Sequence, residues 1–501
     1  MKKTERIGIV LFIAAPVFAL ILLCLLQNIN PLAIDAWNTT WNDEVIYQKI
    51  IKMIRGYGYP TGFCSYNEVI AKYPAYGPWI FTTYIPYCLV SFFTGTSFHN
   101  FMIIANVIFI VAANTFFVFL VRPKRKNLFF LFLFTATSLI YERYVWSGMS
   151  ESSTYAMIII VMAIIMRSLQ NAEKNMFFLG LASFLISFFA LSRPFLLVYL
   201  LYIWCEIWFS KKNRTYKWIC SAILFFMAIL TVLAYFYLSN AHTVKYYSSH
   251  GMGYFMDFLH NKEIRALLKW ILQCNIDAVR VIWASYFVKK WIIFVFLSFV
   301  IQLIFLTIKF VCEKDKEKKL FFAVSIISGL AIYEATVILY SASQLHRMLL
   351  GCIIGYTYII CMTFGKKENS IHLGLQILCM LLLLRSNVSS LYLPTKTEGI
   401  SYYEDIENSM KAAMPFSEDD CWNNTVALIP TSNDLYLWYC FPEYSAFSMC
   451  TEDYLKYAIT ENILKSKYIY LKEDNELNEL CIGRYSAVWN DEGYVIYENN
   501  Y

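Results

Sequence analysis

The chain has 501 residues, of which 58% are hydrophobic and only 16% charged, with a formal charge of +6. A soluble globular protein carries about 25% charged residues, so this composition excludes that class. Apolar runs of about 16–23 residues recur along most of the chain, the signature of a polytopic, mainly α-helical membrane protein, and in such a chain the placement of Lys and Arg sets orientation.

Residues 7–27, "IGIVLFIAAPVFALILLCLLQ", form the first apolar stretch. The run is too long for a signal-peptide core and no small-residue cleavage site follows, so it reads as a retained helix with Met1–Arg6 in the cytoplasm. "WNDEVIYQKIIKMIRGYGYPTG" follows at 41–62. Val45, Ile46, Ile50, Ile51 and Ile54 recur there at helical spacing, which predicts an amphipathic helix at the membrane surface. Two adjacent acids, Asp43 and Glu44, begin it. Acids favour helix N-termini and Asn42 is a good cap, so capping is the plain reading of the pair.

Further apolar stretches lie at 78–95, 101–121, 128–145, 153–168, 175–191, 194–209, 216–238, 290–312, 319–341, 344–364 and 370–393. Basic clusters separate them: "RPKRKN" (122–127), "RSLQNAEKN" (167–175), "SKKNRTYK" (210–217), "EKDKEKK" (313–319) and "GKK" (365–367). If every stretch crosses, all five clusters fall outside, against the positive-inside rule. If 78–95 lies in the interface instead, all five fall inside with the N-terminus. That stretch is aromatic, carries Pro86 in its middle and ends at Gly95, which suits an interfacial helix. The reading is therefore about 11 crossings, with external loops at 28–100 and 239–289 and a C-terminal domain outside.

Within the second loop, 263–290 is amphipathic and is expected on the outer membrane face. Residues 394–501 alternate short β-like and helical runs, which predicts a small extracytoplasmic α/β domain with its own core, distinct from the membrane domain of residues 1–393. Cys421, Cys440, Cys450 and Cys481 there are candidates for two disulfides if the domain is extracytoplasmic; their spacing matches no common zinc pattern.

The acids just after the first helix, followed by "Y…Gxx…YP…GPW", resemble the first external loop of the GT-C superfamily, in the branch of the protein O-mannosyltransferases and the aminoarabinose transferases. Three later stretches resemble family motifs in the same order. "YERYVWSGMSES" (141–152) gives Arg143 and Glu151, "LSRPF" (191–195) gives Arg193, and "SQLHRMLLG" (343–351) gives His346 and Arg347. The resemblance implies a GT-C-like bundle with interfacial helices in the first loop. It implies a glycosyltransferase that takes a sugar from a polyprenyl-phosphate carrier and passes it to an extracytoplasmic glycan, lipid or protein at the plasma membrane. By resemblance Asp43 is the base for the acceptor hydroxyl, with Glu44 supporting it. A leaving phosphate needs positive charge, for which Arg347, His346 and Arg193 are candidates. Glu151, Arg143 and Tyr76 are further substrate-binding candidates. Asp43, Glu44 and Glu151 are candidate ligands for Mg²⁺ or Mn²⁺. Nucleic acid is not an expected partner, and no Gly-rich phosphate loop of the usual kind is present.

Each assignment has a plain alternative. Arg347 and His346 snorkel to the interface; Arg193 marks a helix break or pairs with Glu151; Glu142 and Arg143 pair with each other; Tyr47 and Tyr76 anchor the interface. Two other functions stay open. An O-antigen ligase or polymerase would use basic residues of the late loop, here Lys262, Arg265, Lys269 and Arg280. A lipid-linked-sugar flippase or transporter would place charge at mid-membrane, where these segments have almost none.

Overall fold

The computed structural model describes residues 3–36, 39, 41–58, 67–68, 81–95, 100–171, 173–238, 255, 257–258, 260–287, 291–340, 342–385, 393–395, 400–415, 425–430, 434–443 and 445–499. Helices α1 (Lys3–Ile13) and α2 (Ala15–Gln27) meet at a 60° bend. Pro16 sits in the first turn of α2; its missing N–H and its ring break the ladder there, so the first apolar stretch is a bent pair. Helix α3 (Asn42–Tyr57) carries the paired acids, and α4 (Ile85–Thr94) follows. At 10 residues, α4 is about 15 Å long, half of what a crossing needs. Next come α5 (Phe101–Val121), α6 (Arg125–Thr137), α7 (Leu139–Val145), α8 (Glu151–Gln170) and α9 (Met176–Ala190). The α6–α7 pair bends by 75°. A 3₁₀ turn at Pro194–Tyr199 leads into α10 (Leu200–Phe209), then α11 (Arg214–Leu238) and α12 (Ile264–Ser285). The bundle closes with α13 (Trp291–Cys312), α14 (Lys316–Leu339), α15 (Leu345–Thr363) and α16 (Lys366–Arg385).

Among the described residues, six single helices are long and apolar enough to cross a membrane, or eight spans if each bent pair counts as one. Of the expected eleven crossings, α9 and the 3₁₀ turn with α10 are shorter, and α16, though 20 residues long, does not meet the same test. The helices thus fix a polytopic bundle rather than a count of eleven.

Helices α8 and α15 form the centre, 83% and 89% buried over their apolar windows, whereas α11 is only 17% buried and faces outward. Small residues let the two central helices approach closely. A Cβ at Gly351 would stand 2.8 Å from Ile158 Cδ1, and one at Gly355 3.4 Å from Ile158 Cγ2. This is the small-xxx-small packing of membrane helices. Interhelical hydrogen bonds add polar contacts: Tyr358 to Asn114 (2.6 Å), Gln302 to Thr357 (3.0 Å) and Tyr87 to Asn106 (2.7 Å).

The residues after 393 build α17 (Ile400–Ala413), β1 (Thr425–Leu428), α18 (Leu435–Cys440), β2 (Ala446–Met449), α19 (Glu452–Thr460), β3 (Tyr468–Lys472), α20 (Leu477–Cys481), β4 (Ser486–Asp491) and β5 (Tyr494–Glu498). The sheet order is β2-β1-β3-β5-β4, parallel from β2 to β3 and antiparallel beyond, so the expected α/β arrangement is present. Among the described residues no disulfide forms. Cys440, Cys450 and Cys481 are separate buried thiols, and Cys421 lies outside the described residues. Burial pushes each of the three up to about 12, which makes them inert core groups.

This domain grips the first loop at two points. Lys49 of α3 is buried and donates to Tyr439 O (3.3 Å), Phe441 O (2.5 Å) and Pro442 O (3.2 Å), the carbonyls at the end of α18. Burial lowers its ammonium to about 7, while three acceptors at a helix C-terminus favour the charge. Glu68, also fully buried, accepts from Ser466 N (2.6 Å), Lys465 N (3.0 Å) and Tyr454 Oη (3.0 Å). Lys49→Met leaves three buried carbonyls without a donor, a loss of about 1–3 kcal/mol. The expected result is faster release of a C-terminal fragment in limited proteolysis; an unchanged rate would mean the contact does not hold the domain.

Candidate active site

The sequence brings three carboxylates and three guanidiniums to one end of the bundle. Helix α3 begins at Asn42, so Asn42 is not its cap. The cap position is Trp41, without a side-chain hydrogen bond to the helix. Asp43 and Glu44 turn to arginines instead. Asp43 Oδ2 accepts from Arg347 Nη1 at 3.0 Å. Glu44 accepts from Gly148 N (2.9 Å) and from Thr39, and faces Arg143 at 3.9 Å. Burial pushes the Glu44 carboxyl up, against the pull of Arg143 and of the Gly148 N–H. Gly148 permits this approach, because a Cβ there would stand 3.1 Å from Glu44 Oε2.

Glu151 opens α8 and holds two arginines on one oxygen. Arg347 donates to it from Nη2 (2.5 Å) and Nε (2.9 Å), and Arg193 Nη2 lies at 3.2 Å. Arg193 also reaches Ser150 Oγ (3.5 Å), and Arg347 reaches Tyr47 Oη (3.4 Å). Arg347 therefore points into the cluster and does not snorkel away from it. Arg143 does not pair with its neighbour Glu142. It lies 4.2 Å over the Trp41 ring, while among the described residues neither oxygen of Glu142 has a hydrogen-bond partner.

Exposure separates the roles. Asp43 keeps 22% of its side chain exposed and Arg347 14%, whereas Glu44 and Glu151 keep none. Of the three carboxylates only Asp43 is open to solvent. His346 adjoins Arg347 in sequence but stacks on Trp291 (4.8 Å, 12°) and donates from Nδ1 to Ser343 O (2.9 Å). Tyr76 lies outside the described residues. Trp41, Ser150 and Gly148 were not singled out from the sequence; only "SGMS", a small-residue turn before α8, hinted at the last two. Lys262, Arg265, Lys269 and Arg280 are exposed on or beside α12, Arg280 pairing with Asp277 (3.0 Å).

The same carboxylates were candidates for Mg²⁺ or Mn²⁺. Each one faces a guanidinium, and among the described residues no three His, Cys, Asp or Glu side chains converge as a metal site. Arginine supplies positive charge at this site.

No protein-family model and no curated protein matches the chain. Solved structures do. The archaeal oligosaccharyltransferase AglB from Archaeoglobus fulgidus, in complex with an inhibitory peptide and a dolichol-phosphate, superposes with a TM-score of 0.50 at 10% identity, over 93% of this chain and 70% of its own. A crystal structure of the Archaeoglobus fulgidus enzyme with Zn and sulfate gives 0.49 at 12% identity, over 97% and 73%. ArnT from Cupriavidus metallidurans bound to undecaprenyl phosphate gives 0.47 at 11% identity, over 99% and 98%. The fold of this chain is thus similar to that of AglB.

Proposed function

We propose that this chain, with its GT-C fold, is an integral membrane glycosyltransferase. It moves a sugar from a polyprenyl-phosphate carrier to a hydroxyl of an extracytoplasmic acceptor. The observation that carries the reading is the accessible Asp43 carboxylate set 3.0 Å from Arg347 within a cluster of balanced charge. AglB, whose solved form holds a dolichol-phosphate, supports a lipid-borne phosphate donor here. An outward-facing apolar groove of ≈ 560 Å³ adds support: it runs beside the turn after Arg193, walled by Leu197, Leu201, Trp204, Trp218 and Phe225. Prenyl units of a carrier would lie there.

In this mechanism the donor phosphate takes Arg347 away from Asp43, with Arg193 beside it. The freed carboxylate accepts the acceptor hydroxyl proton. The acceptor oxygen bonds to the anomeric carbon, the bond from that carbon to the phosphate oxygen breaks, and the configuration inverts. The departing phosphate monoester is stabilised by guanidinium hydrogen bonds. Glu44 and Glu151 stay buried and hold the arginines in place. The orientation that suits this chemistry has the N-terminus in the cytoplasm and the C-terminal domain outside.

The ligase reading weakens because its late-loop basic residues are exposed rather than gathered at the cluster. The test is transfer of labelled sugar from polyprenyl-phosphate donors by the protein in liposomes, with the product's anomeric configuration read by NMR. No transfer from any such donor, or retained configuration, would overturn the proposal.

A further inference from the structure

We propose that the end of the bundle remote from the Asp43 cluster binds an anionic phospholipid between α6 and α16. A groove of ≈ 700 Å³ opens between these helices. Arg125 and Lys126 of α6 and Lys366 of α16 form its mouth, and Phe129, Leu373 and Ile377 wall it. The three basic side chains are exposed, and among the described residues none forms an ion pair. Glu368, in the same first turn of α16, lies against Gly365 instead. Both helices begin at the mouth, so their peptide N–H groups add to the positive field.

The place matches a lipid headgroup. Helix α15 runs from beside Arg347 to Thr363, about 24 Å, and α16 starts directly after it. The mouth therefore lies near the membrane face opposite the cluster. The groove's interior is apolar and open sideways, since Phe129 is 56% exposed and a Cβ at Gly374 would meet nothing within 4 Å. A ligand with a phosphate at one end and an acyl chain at the other complements both parts, whereas a free anion would leave the apolar wall unused. Basic pockets between membrane helices recognise lipid phosphates in this way.

The test is native mass spectrometry of the full chain in detergent with dioleoyl phosphatidylglycerol or dioleoyl phosphatidylcholine. Phosphatidylglycerol is expected to be retained preferentially. Neutralising the mouth (Arg125→Gln, Lys126→Gln, Lys366→Gln) should weaken retention about five-fold per charge and about 10²-fold together. Gly374→Trp should abolish it by filling the groove without changing charge. Lys314→Gln with Lys318→Gln, a basic pair at the same end but outside the groove, should change nothing. Melting curves identify any variant that fails to fold, and the single-charge variants then decide. Equal retention of both lipids, an equal loss in the control pair, retention by Gly374→Trp, or displacement by inorganic phosphate alone would each overturn the proposal.

Discussion

Asp43→Asn is expected to lower sugar transfer by about 10²-fold or more while leaving the fold intact. The substitution keeps the side-chain shape and removes only the charge and the proton-accepting oxygen. Stability should hardly move, for two reasons. Asp43 is partly exposed, so its pair with Arg347 is screened, and Arg347 keeps its two bonds to Glu151. The base acts in the transition state, so the loss should appear in kcat rather than KM. The measurement is initial transfer rate against donor concentration, with thermal melting as the folding control. A variant that transfers at the wild-type rate would leave Asp43 as a tether for Arg347, and the base would have to be sought elsewhere. A variant that loses activity together with its melting transition would say nothing about chemistry; Asp43→Glu, which keeps the charge, then separates the two by recovering the fold.

The residues of the cluster were legible in the sequence, and so was one pair, Arg193 with Glu151; the other partners were not. Asp43, Glu44, Glu151, Arg193 and Arg347 stand out because ionised groups beside apolar runs are costly and rarely idle. The adjacency of Glu142 and Arg143 suggested a pair. On a helix, however, neighbours in sequence point about 100° apart, so Arg143 reaches Trp41 and Glu44 while Glu142 turns elsewhere. The helical spacing of Val45, Ile46, Ile50, Ile51 and Ile54 marked the packed face of α3; the first four are buried and Ile54 is half-buried. Lys49, four residues after Val45, falls on that same face. It is covered because a domain almost 400 residues later folds over it, which local spacing cannot report. Pro16 was a readable signal for the first bend. The bend at Ser138 has no such residue.

Glu151 is expected to give the largest stability effect. One of its two carboxylate oxygens holds both guanidiniums, and the residue is fully buried. Glu151→Leu leaves Arg193 and Arg347 facing each other with only Asp43 for compensation. Removing one partner of a buried ion pair costs about 3–5 kcal/mol, because the remaining charge stays desolvated and unpaired. The expected result is a large fall in the melting temperature of the detergent-solubilised protein, with Glu151→Gln intermediate because an amide oxygen still accepts a hydrogen bond. The double variant Glu151→Leu, Arg193→Leu should regain much of the loss. It restores formal neutrality, with Asp43 facing Arg347 and Glu44 facing Arg143, and coupled sites of this kind are not additive. Wild-type stability in Glu151→Leu alone would show that the cluster is solvated rather than structural. Recovered stability without recovered transfer would separate the two roles of Arg193, since a guanidinium needed only to satisfy Glu151 is dispensable once Glu151 is gone, whereas one that meets the leaving phosphate is not.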